Sequence, residues 1–207
     1  MPRKSRQIFD MTPDLLFALA LFAAATVFSP GPNNLMLMTS GANFGLRRTL
    51  PHLAGVAYGF PLMILPVGLG VMQLFEAWPP AFTLLKVVSV VYLLWLAWKI
   101  AHQAAPGEAR SRARPLSFVQ AAAFQWVNPK AWSMALGAIT LYAASRDLAA
   151  VAWVSGTYAV IGTASALTWA LLGTGLRRWL SNPSRLRLFN WSMAALLLAA
   201  MAPVLLG

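Results

Sequence analysis

Ser29-Pro30-Gly31-Pro32-Asn33-Asn34 and Gln125-Trp126-Val127-Asn128-Pro129-Lys130 are helix-breaking stretches set inside long apolar runs. Proline lacks a backbone N–H and disfavours helix at the residue before it, so each stretch interrupts the helical hydrogen-bond ladder. Hydrocarbon offers no water to replace the lost bonds. Irregular backbone at membrane depth therefore persists only where protein or a wet cavity surrounds it. A matched pair of broken spans in the two halves of a chain is the sequence mark of a carrier's binding site.

The surrounding composition sets the class. Of 207 residues, 59% are hydrophobic and 10% are charged, against about 25% charged in soluble domains. Sixteen bases and five acids give a net charge of +11. The bases cluster between apolar runs, so they read as topology signals beside anionic headgroups and not as a nucleic-acid surface. The absence of cysteine excludes disulfides, thiol catalysis and Cys-based metal sites. Six apolar runs cover Leu15–Thr39, Leu53–Phe75, Phe82–Ile100, Phe118–Tyr142, Leu148–Leu176 and Leu188–Leu206. Each reaches the ~17–20 residues that a spanning helix requires, and none shows the alternation of a membrane barrel. The fold class is all-α integral membrane, with the lipid bilayer as its solvent.

The longest polar segment, 101–117, joins two three-span halves, 11–100 and 118–207, of a single six-span domain. Residues 1–10 read as an extension ahead of a second methionine, Met11. The first run continues through Pro30-Gly31-Pro32 without a small-residue cleavage site, unlike a cleaved leader. Arg47, Arg48, Lys99, Arg110, Arg112, Arg114, Arg177, Arg178, Arg185 and Arg187 fall in or beside the odd-numbered loops. The opposite side carries Arg146, with Arg3, Lys4 and Arg6 at the N-terminus. The positive-inside rule makes the odd loops cytoplasmic and both termini external. An odd number of spans per half makes the halves enter from opposite faces. Pro30 then lies about 22 Å into the first span and Pro129 about 17 Å into the fourth, at 1.5 Å per residue. This is the geometry of two inverted three-helix repeats with broken helices 1 and 4.

Several motifs resemble the lysine exporter/homoserine-threonine resistance family of bacterial amino-acid exporters. They are Pro30-Gly31-Pro32, Gly45 with Arg47-Arg48, Gly55-x-x-x-Gly59 and Asn128-Pro129-Lys130. Met11-Thr12-Pro13, Asn33-Asn34 and Trp95-Leu96-Ala97-Trp98-Lys99-Ile100 look closest to its cysteine and O-acetylserine exporter subgroup. The resemblance covers nearly all of Met11–Gly207. It implies efflux of small amino acids or related metabolites across the bacterial inner membrane, in exchange for protons and without a cofactor. Two positions depart from the pattern: Asn33 stands where many members have aspartate, and Thr49 where many have glycine. The first removes an obvious acidic proton carrier.

The chemistry of the breaks can be derived without the resemblance. Pro30 and Pro32 free carbonyls near Val27 and Phe28, which could bind an ammonium, while Gly31 admits close backbone approach. The restarted helix offers N–H groups near Asn33 and Asn34, suited to a carboxylate. An amino acid needs both. Gln125 and Asn128, three residues apart, share a helical face beside Pro129, although a glutamine can equally serve to bond a neighbouring helix. Lys130, about twelve residues into its run, cannot easily snorkel to either surface, and a central lysine costs roughly 2.5–3.5 kcal/mol on insertion scales. It either recognises a substrate carboxylate, binding it when charged and releasing it when neutral, or ties down the broken helix through carbonyls. Pro30, Gly31, Pro32, Asn33, Asn34, Gln125, Asn128, Pro129 and Lys130 are the candidate site.

His52 and His102 read as isolated residues of cytoplasmic turns, insufficient for a metal. Gly41-x-x-x-Gly45 and Gly55-x-x-x-Gly59 permit close helix contact, within one chain or across a homodimer. Alternatives to a secondary exporter are an intramembrane enzyme and a channel or passive scaffold. The chain has no Gly-x-Ser-x-Gly elbow and no clustered acids, which such sites would use.

Paired reporter fusions after Gly107 and at Gly207 check the topology. A cytoplasm-active reporter should work at Gly107 and fail at Gly207. Activity at Gly207 would overturn both the orientation and the inverted arrangement.

Overall fold

The computed structural model describes residues 12–78, 80–102, 114–143, 145 and 147–200. Met11, Arg110, Arg112, Arg146 and Gly207, on which part of the topology reading rests, lie outside them. Among the described residues all regular structure is helical: α1 (Pro13–Phe28), α2 (Pro32–Phe44), α3 (Leu46–Pro66), α4 (Met72–Ala77), α5 (Pro80–Ala101), α6 (Phe118–Phe124), α7 (Pro129–Tyr142), α8 (Leu148–Leu176) and α9 (Pro183–Ala199).

Capping chemistry sets most boundaries. Thr12 caps α1, its Oγ1 accepting from Leu15 N, and Pro13 follows with φ already helical. Ser117 and Gln120 form a reciprocal capping box on α6. The Asp147 carboxylate accepts from Ala150 N at 2.9 Å and caps α8. The Ser145 hydroxyl and the Ala150 amide together hold that carboxyl below its ordinary pKa. Asn182 caps α9 through the amides of Ser184 and Arg185. Gly45 separates α2 from α3 at φ 77°, a backbone conformation that L side chains rarely adopt.

Three helical segments are long and apolar enough to cross a membrane: Leu46–Val71, Pro80–Ala101 and Leu148–Leu176. The pair α1 and α2 meets the same standard jointly, bent by 57° at the Ser29–Gly31 break, which gives three spans, or four with the bent pair counted as one. The chain is thus a multi-pass helical membrane protein. Large apolar side chains such as Phe17, Leu62, Val91, Val160 and Leu188 are more than half exposed, as lipid-facing positions are. Relative to the apolar runs, the second span starts earlier, at Leu46 instead of Leu53. His52 consequently belongs inside α3 with 1% of its surface exposed, which corrects its placement in a cytoplasmic turn. An apolar-run criterion discounts Arg47, Arg48 and His52, but tertiary contacts hold that turn helical.

The buried side chains form two large apolar clusters. One joins α2, the first half of α3, α5, α6, the later part of α8, and α9. The other joins α1, the later part of α3, α7 and the first half of α8. The two breaks lie where one cluster gives way to the other. Helix α8 runs past both, packed on α1, α2 and α3.

Glycines set the closest approaches. A methyl group at Gly41 would strike the Ala170 carbonyl, and one at Gly173 the Met38 carbonyl. At Gly59 it would lie 2.6 Å from Ala122 Cα. The Gly55-x-x-x-Gly59 and Gly41 contacts are therefore intramolecular, against α6 and α8. Gly173→Val should force α2 and α8 apart at a cost of about 1–3 kcal/mol. Gly156→Ala, with open space around it, should leave thermal stability unchanged. A thermal-unfolding series in detergent checks both; equal midpoints for the two variants would contradict the close α2–α8 crossing.

Candidate functional site at the two helix breaks

Helix α1 stops at Phe28 because Ser29 precedes Pro30 and adopts extended backbone, ψ 142°. Gly31 is also extended, and Pro32 opens α2. The carbonyls left without helical partners are met by side chains. Asn34 Nδ2 donates to Val27 O at 2.7 Å and to Ser29 O at 2.8 Å, and Ser165 Oγ donates to Val27 O at 2.8 Å. No side chain caps the first amides of α2, so the positive end of that helix stays open beside Asn33 and Asn34.

The second break has a different construction. Helix α6 tightens into a single 3₁₀ turn at Gln125–Val127, and Asn128 is extended at φ −96°, ψ 107°. The Asn128 side chain accepts from Lys130 N at 3.2 Å and so caps α7, which opens on Pro129. Trp132 Nε1 donates to Trp126 O at 2.9 Å across the gap.

Two side-chain bridges join the breaks. Asn33 and Gln125 pair reciprocally: Asn33 Nδ2 donates to Gln125 Oε1 at 2.8 Å, and Gln125 Nε2 donates to Asn33 Oδ1 at 3.1 Å. Gln125 is fully buried and also donates to Ala121 O. Lys130 makes the other bridge. Its ammonium donates to Ser29 O at 2.7 Å, Ser29 Oγ at 2.8 Å and Pro30 O at 3.3 Å. A methyl group at Gly31 would sit 2.6 Å from Lys130 Cδ, so the lysine passes directly over the glycine. Here the absent side chain matters more than backbone freedom.

These residues border a cavity of about 40 Å³, enough for a few waters but not for an amino acid. Gly31, Asn33, Asn34, Asn128 and Lys130 line it, and Lys130 is its one charged residue among the described residues. Pro30, Pro32, Gln125 and Pro129 do not line it. Pro30 is exposed, and the prolines act by shaping backbone while Gln125 holds Asn33. The freed carbonyls expected to await an ammonium are instead occupied by Asn34, Ser165 and Lys130. In this arrangement the Lys130 ammonium bonds one break to the other.

Sequence reasoning missed the wall supplied by α8. Tyr158, Gly162 and Ser165 line the cavity, and the Tyr158 hydroxyl lies 3.1 Å from Thr26 Oγ1. Their spacing of four and three residues places them on one helical face, a polar-and-small stripe legible within the fifth run. No group of three or more His, Asp or Glu residues comes together to hold a metal among the described residues.

The cysteine/O-acetylserine efflux protein of Escherichia coli is 35% identical over 167 residues, covering 79% of this chain and 84% of that protein. The protein of that description from Klebsiella pneumoniae is 34% identical over 190 residues, 90% of this chain and 95% of the relative. One from Shigella flexneri is 35% identical over 167 residues. No solved structure matches the chain. The pattern of the LysE type translocators matches residues 24–206, both helix breaks included, and the chain belongs to that family.

Proposed function

We propose that the protein exports small amino acids of the cysteine and O-acetylserine kind from the cytoplasm, in exchange for protons, through the cavity between the two breaks. The observation that carries this reading is the Lys130 ammonium seated on the Ser29 and Pro30 carbonyls. The seat is an ammonium site made of backbone, and the residue filling it is the cavity's own cation. An incoming amino acid offers both partners of an exchange: its ammonium takes the carbonyls, and its carboxylate takes the displaced lysine. The uncapped start of α2 adds N–H groups for that carboxylate. A cavity this small must open for substrate, and withdrawal of the Lys130 side chain from over Gly31 supplies the room. The relatives' description supports the substrate class, and membership in a translocator family sets aside the intramembrane-enzyme reading.

The wider frame is part of the same proposal. Residues 11–207 form one six-span domain, in which α1–α2, α3 and α5 repeat as α6–α7, α8 and α9 with inverted orientation. Contacts support this pairing: exchanging the halves turns α1·α8 into α6·α3 and leaves α3·α8 and α5·α9 in place. The protein sits in the bacterial inner membrane with both termini outside, and recognises no nucleic acid. A homodimer is compatible with the exposed faces of α5 and α9. Protonation and deprotonation of Lys130 supply the coupling that Asn33 cannot.

Counterflow in proteoliposomes tests the reading. The parent should exchange labelled O-acetylserine. Lys130→Met should lose roughly tenfold to a hundredfold in rate, the worth of a charged hydrogen bond at about 1.5–3 kcal/mol, and Lys130→Arg should retain part. Exchange by Lys130→Met at the parental rate with the parental pH dependence would refute the proposed role.

A further inference from the structure

A second, smaller cavity of about 30 Å³ lies apart from the breaks and shares no lining residue with the central one. Its walls come from α2 (Met36, Thr39 and Ser40), α3 (His52), α5 (Leu96, Lys99 and Ile100) and the segment ahead of α6 (Arg114–Leu116). His52 is 1% exposed. Its Nδ1 lies 2.9 Å from Ser40 Oγ, while its Nε2 is buried without a partner. A buried polar atom left unpaired is destabilising, so an unpaired ring nitrogen on a residue that lines a cavity points to a binding partner.

The rest of the wall says what. When the Ser40 hydroxyl donates to Nδ1, the ring carries its proton on Nε2, an N–H without a partner in the protein on a residue that lines the cavity. The Thr39 hydroxyl is already spent on Leu35 O at 2.8 Å. Among the described residues Lys99 and Arg114 are the charged members of the lining, and no acid joins them. The Lys99 ammonium rests 5.1 Å from the centre of the Trp95 ring, a weak contact that it can leave. A lining that holds one N–H donor and two cations around a space the size of a few atoms matches a carboxylate group.

We propose that this cavity is a binding site for a small carboxylate, held by His52 Nε2–H and by the charges of Lys99 and Arg114. A space this small takes only the carboxylate end, with the rest of the molecule, a free monocarboxylate or an amino acid on its way to the central cavity, at its mouth. The carboxylate site shares no lining residue with the central cavity and stands independently of the exporter reading; only the amino acid in transit rests on that reading.

His102 is exposed at the end of α5, outside the lining. Since the chain has two histidines, His102→Gln leaves His52 as the sole imidazole. With isotope-labelled histidine, the Nε2 resonance of that variant can be followed in detergent during titration with sodium acetate, glycine or sodium chloride at matched ionic strength. Acetate should give a saturable shift and chloride none. A shift with acetate alone assigns a monocarboxylate, and a matching shift with glycine assigns an amino acid in transit. Lys99→Met together with Arg114→Met should raise the acetate midpoint about tenfold or more, from about 0.7–1 kcal/mol per charge. An Nε2 signal that acetate leaves unmoved, that chloride moves equally, or that saturates at the parental midpoint in the double variant would overturn the site.

Discussion

Backbone carbonyls freed inside a membrane must find donors, and the architecture around the breaks follows from that demand. Prolines at 30, 32 and 129 end the helical ladders; Asn34, Ser165 and Lys130 donate to the freed carbonyls, while the Asn128 side chain accepts from the Lys130 amide. The donors come from α2, α7 and α8, so meeting the demand draws these helices to one point. The polar belt that results lies between two apolar clusters, where a solute-binding site needs to be if it is to be reached from each side in turn. The same bonds that make the broken helices tolerable thus assemble the cavity. In the proposed exchange Lys130 is the member that moves: its long stem lies over a glycine and its head binds carbonyls that another ammonium could take.

The two ends of the molecule are packed differently. Helix α2 lies tightly against α8, with Gly41 and Gly173 bringing backbone onto backbone, and also touches α9. Helix α7, its counterpart in the proposed repeat, makes only slight contact with α3. Under an inverted repeat, the opposite state would loosen the first contact and tighten the second. Gly45, at φ 77° beside the Arg177 guanidinium, is the joint at which α2 meets α3.

Much of this was legible in the residues. Proline and glycine placement located both breaks, since their effect on a helix is local and does not depend on tertiary context. The pairing of Gly55 and Gly59 identified a close contact, but only the fold shows that α6 fills it. His52 was misplaced because polarity near Arg47 and Arg48 signals a loop to any reading based on hydropathy, whereas packing against α2 and α5 buries the ring. The reciprocal Asn33–Gln125 amide pair joins residues 92 apart, and no local pattern encodes it. Likewise the stripe of Tyr158, Gly162 and Ser165 is legible by spacing, but that it walls the cavity follows only from how one long helix crosses both breaks.

The central claim is that the two breaks form one substrate-bearing site. The native chain lacks cysteine, so a pair introduced at Asn33 and Gln125 reports on that site without background. Treatment of the doubly substituted protein in membranes with a short bifunctional thiol reagent should give rapid intramolecular cross-linking, and O-acetylserine should slow it. No cross-link, or a rate indifferent to the amino acid, would contradict the account.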